Sequence, residues 1–376
     1  MRKSVPVILS IFLLMSCATA RKIDGVISDG IREGIMPGAV VCVVRGDRIT
    51  FLKAYGNRQV VPDTLAMTTE TVFDMASVSK CVGTTISIMQ LIEQGRLSLE
   101  DRVDRYIPGF VNWKDEDGQV PILVRDLLTH ASGLPSYVAP EQYLREHPLA
   151  DADSLMHHIA TRLPRRFRPG TEKQYSCLNF ITLQHIMESI TGERLCDYAQ
   201  KHVFDVLGLE HTCYFPASAP APEGINCAAT EVQPDGHVLL GEVHDPLARI
   251  FNKGNSGNAG VFSNARDLAT LAMALMNGGE LGGKRILKEE TVRKMFTIPP
   301  ENAPAIARAL GWDTYGPDIV GHSGYTGTSI RMNLKTHTAV IILANRVHPR
   351  DEGAMNKSRM NNIRSEIASL VFNGRK

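Results

Sequence analysis

Two side chains with the chemistry of a nucleophile and a base stand three positions apart in residues 76–81, which read ASVSKC. Residues three apart on a helix share one face, so the Ser77 hydroxyl and the Lys80 amine would be neighbours. At a helix N-terminus the field favours an alkoxide, and a desolvated Lys80 would have a lowered pKa and could act as a base. A capping serine beside an exposed lysine is the commoner origin of such a pair. The apolar continuation ISIMQLI argues against it, because it indicates a buried helix.

Two further stretches could contribute to the same chemistry. Tyr175 lies in QYSCLNF, directly before a helical segment. A phenol normally titrates near 10, but a neighbouring lysine favours the phenolate, which could serve as a general base. Residues 321–329 read GHSGYTGTS, where small residues would let a substrate lie against a strand edge with His322 directed into the cleft. Taken singly, a packing tyrosine and a tight turn with a solvated histidine explain these stretches better.

Hydrophobic periodicity predicts the helices and strands that would position these residues. Residues 23–34, IDGVISDGIREG, predict a short helix, and AVVCVVRGDRITFLKAYG predicts an antiparallel hairpin turning at Arg45-Gly46-Asp47. Residues 77–94 predict one long buried helix that ends at Gly95. The region from about 96 to 300 is mostly helical, and GTSIRMNLKTHTAVIILANR then returns to β-type sequence before a last helix near 357–371.

This order of elements predicts an α+β fold. Strands at both chain ends would share one antiparallel sheet flanked by helices, and the helical middle would be a large insertion beside it. We expect a single domain over 17–376, with the α/β part at about 22–75 and 306–376 and the helical part at about 76–305.

Composition narrows the classes of function. The chain has 376 residues, of which 43% are hydrophobic and 22% charged, as is usual for a globular protein with a substantial core. Its 41 Lys and Arg against 40 Asp and Glu leave a net charge of +1, which offers no excess of positive charge for nucleic-acid phosphates. The cysteines form neither a Cys-x-x-Cys pair nor a Cys/His cluster, so no structural metal is indicated, and most are expected to be buried small hydrophobes.

The N-terminus predicts export. A basic MRK, an apolar run of about a dozen residues and then small residues are typical of a secretory signal. Leu14-Met15-Ser16-Cys17 resembles the bacterial lipobox, so residues 1–16 would be a lipoprotein-type signal peptide and Cys17 the lipidated residue. Cleavage after Ala18-Thr19-Ala20 is the alternative. Either way the mature chain would lie in the cell envelope or periplasm.

Taken together, the three motifs resemble the active-site elements of the penicillin-recognising, β-lactamase-like serine hydrolases. The similar branch holds class C β-lactamases, D-alanyl-D-alanine carboxypeptidases, D-amino-acid amidases and esterases. Four stretches carry the resemblance in the expected order, over about residues 25–346: VRDLLTHASGLP, YSCLNFITLQHIMESITG, GEVHDPLARIFNKGNSGNAGVFSNARDLA and GHSGYTGTS.

The resemblance implies a role for each motif residue. Ser77 would be the nucleophile that forms an acyl-enzyme, and Lys80 and Tyr175 would share the work of base and proton shuttle. The backbone N–H groups of Ser77 and Tyr325 would form the oxyanion hole. It implies no metal and no organic cofactor.

The substrate-facing positions depart from the β-lactamase pattern. Cys177 stands where those enzymes have the Asn of Tyr-x-Asn, and a thiol hydrogen-bonds weakly; Asn179 is expected to face elsewhere. His322, followed by Ser323 and Gly324, stands where they carry the Lys of Lys-Thr-Gly, and a mostly neutral imidazole attracts a carboxylate less than an ammonium does. We expect Cys177, His322, Ser323 and Gly324 to contact the substrate.

These observations predict an exported serine hydrolase acting on an ester or on a D-amino-acid amide or peptide bond. A true class C-like β-lactamase is the alternative, and a catalytically silent penicillin-binding or sensor protein is the alternative from another class. The expected partners are a small molecule or a peptide, for example a cell-wall peptide. We expect no nucleic-acid partner, membrane contact only through the lipid anchor, and a monomer.

Overall fold

The structure is a computed structural model that describes residues 16–215 and 224–374. Its strands, in chain order, are β1 (Gly38–Arg45), β2 (Arg48–Gln59), β3 (Leu65–Ala66), β4 (Phe73–Asp74), β5 (Trp113–Asp115), β6 (Gly118–Val120), β7 (Cys213–Tyr214), β8 (Val261–Ser263), β9 (Glu280–Leu281), β10 (Lys284–Arg285), β11 (Asp313–Thr314), β12 (Ile319–Ser323), β13 (Ser329–Asn333) and β14 (Thr338–Ala344).

The α-helices are α1 (Cys17–Arg32), α2 (Ile86–Glu93), α3 (Val124–Leu128), α4 (Pro140–Glu146), α5 (Ala152–Thr161), α6 (Cys177–Thr191), α7 (Leu195–Ala199), α8 (Asp205–Leu207), α9 (Ala265–Met276), α10 (Glu289–Phe296) and α11 (Gly353–Phe372). Shorter 3₁₀ turns cover Ala76–Val78 and Val103–Arg105, and π-helical turns cover Lys80–Thr85, Gln200–Phe204 and Leu247–Phe251.

The main sheet is built from both ends of the chain, as the sequence predicts. Its seven strands run in the order β11-β12-β13-β14-β1-β2-β3, and its neighbouring strands pair antiparallel. The predicted hairpin is β1 and β2, and β1 also pairs with β14, with Cys42 opposite Ile341. The α+β fold class is therefore confirmed.

Strand β1 is buried on both faces, which explains its uninterrupted apolar sequence. Val40, Cys42 and Val44 belong to the large core shared with the helical region. The alternate residues Val41 and Val43 belong to a second core, which α1 and α11 cover with side chains such as Ile27 and Ile367. The sheet thus separates a pair of terminal helices from the helical insertion.

Helix α1 begins earlier than the periodicity predicts. Ser16 Oγ accepts a hydrogen bond from the Thr19 N–H at 3.2 Å and caps the helix, so it starts at Cys17 rather than near residue 23. Residues 1–15 of the predicted signal peptide lie outside the described residues, and export and lipidation remain predictions. In the described ranges, no helix is both long and apolar enough to cross a membrane.

The predicted long helix after Ser77 is present but irregular. The backbone is helical from a 3₁₀ turn at Ala76–Val78, through a π-helical turn, to the end of α2 at Glu93. Residues 78–91 are all buried, as expected, whereas Ser77 is partly exposed. At Gly83 a Cβ atom would lie 2.3 Å from the Tyr214 hydroxyl, so the close packing of β7 requires glycine there.

All seven cysteines lie in the described ranges and are free thiols. Cys17 is exposed and Cys213 is partly exposed, whereas the remaining five are buried. The expectation of buried small hydrophobes is thus met for most of them.

Candidate active site

Ser77 lies on a backbone held in an uncommon conformation. The preceding Ala76 has φ +45°, a region that non-glycine residues occupy rarely and only when the surroundings enforce it. The enforcing group is buried Asp74, whose Oδ1 accepts the Ala76 N–H at 2.7 Å and whose Oδ2 accepts the His244 N–H at 2.7 Å. Ser77 is therefore presented by a rigid turn between β4 and the long helix.

The Lys80 amine lies beside the serine, as the three-residue spacing predicts. Its Nζ donates to Ser77 Oγ at 3.0 Å, to the Asn258 carbonyl oxygen at 2.7 Å and more weakly to Cys177 Sγ at 3.6 Å. The lysine is completely buried. These three acceptors satisfy the ammonium inside the protein.

Tyr175 also contacts Ser77 and lies close to Lys80. Its hydroxyl donates to Ser77 Oγ at 2.8 Å, and Lys80 Nζ lies 5.2 Å from the centre of its ring. The loop that carries it is fixed by Ser176, which caps α6 and donates its own hydroxyl to the Pro135 carbonyl oxygen at 2.6 Å. The Ser77 hydroxyl thus has a lysine and a tyrosine within hydrogen-bond distance.

The protonation state of this trio differs from the sequence-based expectation. Burial opposes the charge of Lys80, but interactions with Cys177, Tyr175 and Asp245 outweigh it and raise the pKa of the lysine. Burial also raises the pKa of Tyr175, although 40% of the residue is exposed, and Lys80 offsets this only in part. The expected lowered pKa of Lys80 is therefore wrong, and an ammonium beside a neutral phenol is the resting state at neutral pH.

The strand edge facing Ser77 is made by the end of β12 and the turn that follows. At Gly324 a Cβ atom would lie 2.5 Å from the Met75 carbonyl oxygen, so only glycine permits this approach. Thr328 fixes the same contact by donating its hydroxyl to that oxygen at 2.9 Å. Ser323 and Gly324 connect β12 to Tyr325, which lines the same cavity as Ser77. The oxyanion role of the Ser77 and Tyr325 N–H groups stays a prediction.

His322 does not point into an open cleft, contrary to expectation. It is 2% exposed, its Nδ1 lies 3.0 Å from the Ser323 carbonyl oxygen, and its Nε2 has no partner within the described residues. Burial lowers the pKa of His322 to about 3, so the ring is neutral at physiological pH. Its ring centre is 6.2 Å from that of Tyr175, which places it beside the tyrosine rather than on the cavity surface.

A cavity of about 440 Å³ opens in front of Ser77. Its lining consists of Ala76, Ser77, Tyr137, Pro140, Glu141, Tyr175, Cys177, His244, Asp245, Pro246, Ala259 and Tyr325. Cys177 therefore lines this cavity, whereas His322, Ser323 and Gly324 are not part of its surface. Contact of Cys177 with a substrate stays a prediction.

The residue Asn179 faces elsewhere, as expected. It is buried, its amide nitrogen lies 3.1 Å from His130 Nδ1, and its amide oxygen accepts the Ser132 hydroxyl at 2.6 Å. His130 in turn lies with its ring centre 4.4 Å from that of Tyr175 and supports the catalytic loop.

Sequence reasoning missed several residues of the site, among them Asn258, Asp245 and Tyr137. Asn258 contributes a backbone carbonyl to Lys80, and carbonyl groups leave no trace in residue type. Asp245 and Asn258 stand in the stretch 241–269 that carries the family resemblance. Their place in that stretch was the signal available in the sequence. In the parts of the chain that the structure covers, no three or more His, Cys, Asp or Glu side chains form a candidate metal site.

The sequence is similar to those of known proteins over most of its length. A family model described as Beta-lactamase matches residues 23–363. Relatives in Salmonella paratyphi B and Salmonella typhimurium, both named "Putative D-alanyl-D-alanine carboxypeptidase", are 30% identical in an alignment of 362 positions that covers 87% of this chain and 82% of each relative.

Solved structures show the same fold at lower identity. The hydrolase EstCE1, described as having promiscuous acyltransferase activity, superposes with a TM-score of 0.71 at 22% identity, over 92% of this chain and 98% of its own. An octameric penicillin-binding protein homologue from Pyrococcus abyssi gives 0.70 at 21% identity, over 93% of this chain and 77% of its own.

Proposed function

Because the chain belongs to the beta-lactamase family of serine hydrolases, we propose that it cleaves an ester or a D-amino-acid amide or peptide bond through an acyl-enzyme on Ser77. The observation that carries the proposal is the contact of one serine hydroxyl with both Lys80 Nζ, at 3.0 Å, and Tyr175 OH, at 2.8 Å. A nucleophile with two proton-transfer groups in reach is the signature of acyl transfer.

The protonation states determine how attack begins. In the resting state Lys80 and Tyr175 both carry their protons, so neither can accept the serine proton. The working base is the Lys80–Tyr175 pair after it has lost one proton, and the apparent pKa of that loss belongs to the pair. Ser77 Oγ then bonds to the acyl carbon, its proton passes to the pair, and the pair returns a proton to the departing alcohol or amine.

Deacylation repeats the sequence with water. A water molecule attacks the acyl carbon, its proton passes to the same pair, and Ser77 Oγ leaves with a proton returned. The N–H groups of Ser77 and Tyr325 are proposed to hold the negative oxygen in both tetrahedral intermediates.

Two features favour an ester or peptide substrate over a β-lactam. Cys177 offers Lys80 only a weak contact at 3.6 Å, where an asparagine amide would make a full hydrogen bond. His322 is buried and neutral, so it supplies no positive charge for the carboxylate of a β-lactam. True β-lactamase activity therefore remains the second candidate.

Labelling of the serine tests the proposal directly. We expect a fluorophosphonate to form a stoichiometric adduct on Ser77, located by peptide mass spectrometry, and Ser77→Ala to remove it. The rates of turnover of a short-chain p-nitrophenyl ester, a D-amino-acid amide and a chromogenic cephalosporin then distinguish an esterase, an amidase and a β-lactamase. Fast cephalosporin turnover would replace the proposal with a β-lactamase, and absence of any adduct with fluorophosphonate and fluorescent penicillin would favour a silent sensor protein.

We further propose that the protein is exported and carries lipid on Cys17. The supporting observation is that Cys17 is exposed at the start of α1. Mass spectrometry of the N-terminal peptide, from membranes of a bacterial host that processes lipoproteins, tests this. A diacylglyceryl mass on Cys17 that is lost in Cys17→Ala is expected, and an N-terminus after Ala20 would indicate ordinary cleavage.

A further inference from the structure

The cavity in front of Ser77 combines aromatic and acidic side chains. Tyr137 and Tyr175 are 37% and 40% exposed, and both line it. The carboxylates of Asp245 and Glu141 line it too, and the lining includes no lysine or arginine. Aromatic faces combined with carboxylates are the groups that bind organic ammonium ions.

Asp245 is fixed with one oxygen only partly used. Its Oδ1 accepts the Ala248 N–H at 3.0 Å and the Asn258 side-chain amide at 3.1 Å. Within residues 16–215 and 224–374, its Oδ2 accepts only the Tyr137 hydroxyl, at 3.2 Å, and a carboxylate oxygen can accept a second hydrogen bond. The acidic oxygen is thus held rigidly at the cavity surface with capacity for another donor.

Tyr137 remains neutral beside this carboxylate. Burial, and secondarily Asp245, raise the pKa of Tyr137 far above its ordinary value. Lys80, whose ammonium interacts with Asp245, is completely buried and donates to its own acceptors. Among the described lining residues, no lysine or arginine competes for Asp245.

The part of the lining near Tyr325 has a different character. The ring of Tyr325 already has Arg346 and Lys357 near it, at 4.5 and 5.3 Å from its centre, and its hydroxyl is bound to Asp351. A positive ligand group would be repelled there. The favourable position for positive charge is the side formed by Tyr137, Glu141 and Asp245.

We propose that the Tyr137–Glu141–Asp245 side of the cavity binds an ammonium group on the acyl donor, so that the preferred substrates carry a free amine. The inference rests on the proposed function, because it specifies the acyl donor delivered to Ser77. Asp245 Oδ2 accepts a hydrogen bond from the ammonium, the face of Tyr137 covers it, and exposed Glu141 adds a longer-range attraction.

Matched substrates that differ in one charge test the inference. D-Alanine p-nitroanilide and N-acetyl-D-alanine p-nitroanilide share the scissile bond, and at pH 6.5 the free α-amine is protonated, because its pKa is about 7.7–8.0. We expect kcat/KM to be at least about tenfold higher for the free amine. In Asp245→Asn, which keeps the shape of the side chain, the ratio of the two values should approach one.

Two further variants serve as comparisons for the ratio of kcat/KM between the free-amine and N-acetyl substrates. Glu141→Gln should lower it by only about two- to threefold, and added salt should remove that difference because Glu141 is exposed. Glu70→Gln removes an exposed carboxylate that pairs with Arg266 outside the cavity and should leave the ratio unchanged. The ratio is measured within one enzyme, so a general loss of activity cancels.

A competition experiment does not depend on the folding of Asp245→Asn. n-Butylammonium should inhibit p-nitrophenyl butyrate hydrolysis by the wild-type enzyme at least about tenfold more strongly than n-butanol does. The inference would be overturned, and the proposed function would stand, if the enzyme hydrolysed the ester but neither preferred the free amine over the N-acetyl substrate nor was inhibited by n-butylammonium. An unchanged ratio in folded Asp245→Asn would also overturn it, and absence of both ester turnover and a Ser77 adduct would overturn both.

Discussion

The Tyr175 hydroxyl lies 2.8 Å from Ser77 Oγ, although 98 residues separate the two in the chain. The contact joins the loop before α6 to the turn after β4, and Lys80 Nζ lies 5.2 Å from the centre of the same tyrosine ring. Because Ser77 Oγ also accepts from Lys80, the three groups form one hydrogen-bonded unit, to which we assign the proposed proton transfer. Their individual contributions can be separated by substitution.

Tyr175→Phe removes the hydroxyl and keeps the ring that covers Lys80. We expect kcat for ester hydrolysis to fall by about 10²- to 10⁴-fold, because a positioned proton-transfer group contributes that much, while KM changes little. Steady-state kinetics with a p-nitrophenyl ester provides the measurement. A loss below about fivefold would show that Lys80 alone transfers the proton.

Lys80→Met replaces a buried ammonium with an apolar side chain of similar length. Activity should fall by about 10³-fold or more. The free energy of unfolding should fall by about 1–3 kcal/mol, because the raised pKa of Lys80 shows that its contacts outweigh the cost of burial and because the Asn258 carbonyl oxygen loses its donor. Urea unfolding followed by circular dichroism measures this. A destabilisation above about 3 kcal/mol would instead assign Lys80 a structural role.

Gly324→Ala tests the close approach of the strand edge to the nucleophile. The added Cβ atom would lie 2.5 Å from the Met75 carbonyl oxygen and 2.2 Å from Thr328 Oγ1, so the backbone must shift. We expect a destabilisation of about 2 kcal/mol or more and at least a tenfold loss of kcat. Gly25→Ala in α1 is the matched control, since nothing lies within 4 Å of its Cβ position. The Gly25→Ala variant should be more stable than wild type by about 0.5–1 kcal/mol. Equal effects of Gly324→Ala and Gly25→Ala would contradict the packing argument.

The buried His322 makes stability depend on pH. Its pKa is lowered by burial from the ordinary 6.5 to about 3, so below pH 6.5 the unfolded chain binds a proton that the folded protein does not. His322 therefore does not lower the free energy of unfolding above about pH 6.5, and below it the free energy of unfolding decreases as the pH falls towards 3. His322→Gln should lower the slope of unfolding free energy against pH by about 1.4 kcal/mol per pH unit near pH 5. Urea titrations from pH 4.5 to 7.5 measure it, and the exposed His157→Gln should keep the wild-type slope.

Cys177→Asn introduces an amide where the thiol now faces Lys80 and the cavity. An amide can accept from the lysine and donate to the carbonyl of an amide-bearing acyl donor, which a thiol does poorly. We expect the kcat/KM of amide relative to ester substrates, and acylation by a fluorescent penicillin, to rise by about tenfold, equivalent to one hydrogen bond. Cys177→Ser is the size-matched control, and no change in either ratio would show that Cys177 does not set the substrate preference.

Much of the fold was predictable from local patterns. The apolar run of β1 and the turn at Arg45-Gly46-Asp47 specified the hairpin, and β-type sequence at both ends indicated a shared sheet, which the pairing of β1 with β14 confirms. Element ends were less accurate because caps decide them, as Ser16 does for α1. The irregular turns around Lys80 reflect packing against distant residues such as Tyr214, which periodicity does not contain.

The sequence by itself determined which residues could react and which family they belong to, because the spacing of Ser77 and Lys80 and the order of the three motifs are properties of the chain. Only the tertiary structure decided their protonation and surroundings. The pKa values of Lys80 and His322 depend on burial and on groups far away in sequence, such as Asp245 for Lys80 and Lys80 for His322. The same folding turned His322 inward and placed Asp245 beside Tyr137 at the cavity surface. Reactivity is thus encoded locally, whereas charge and specificity arise from contacts between distant segments.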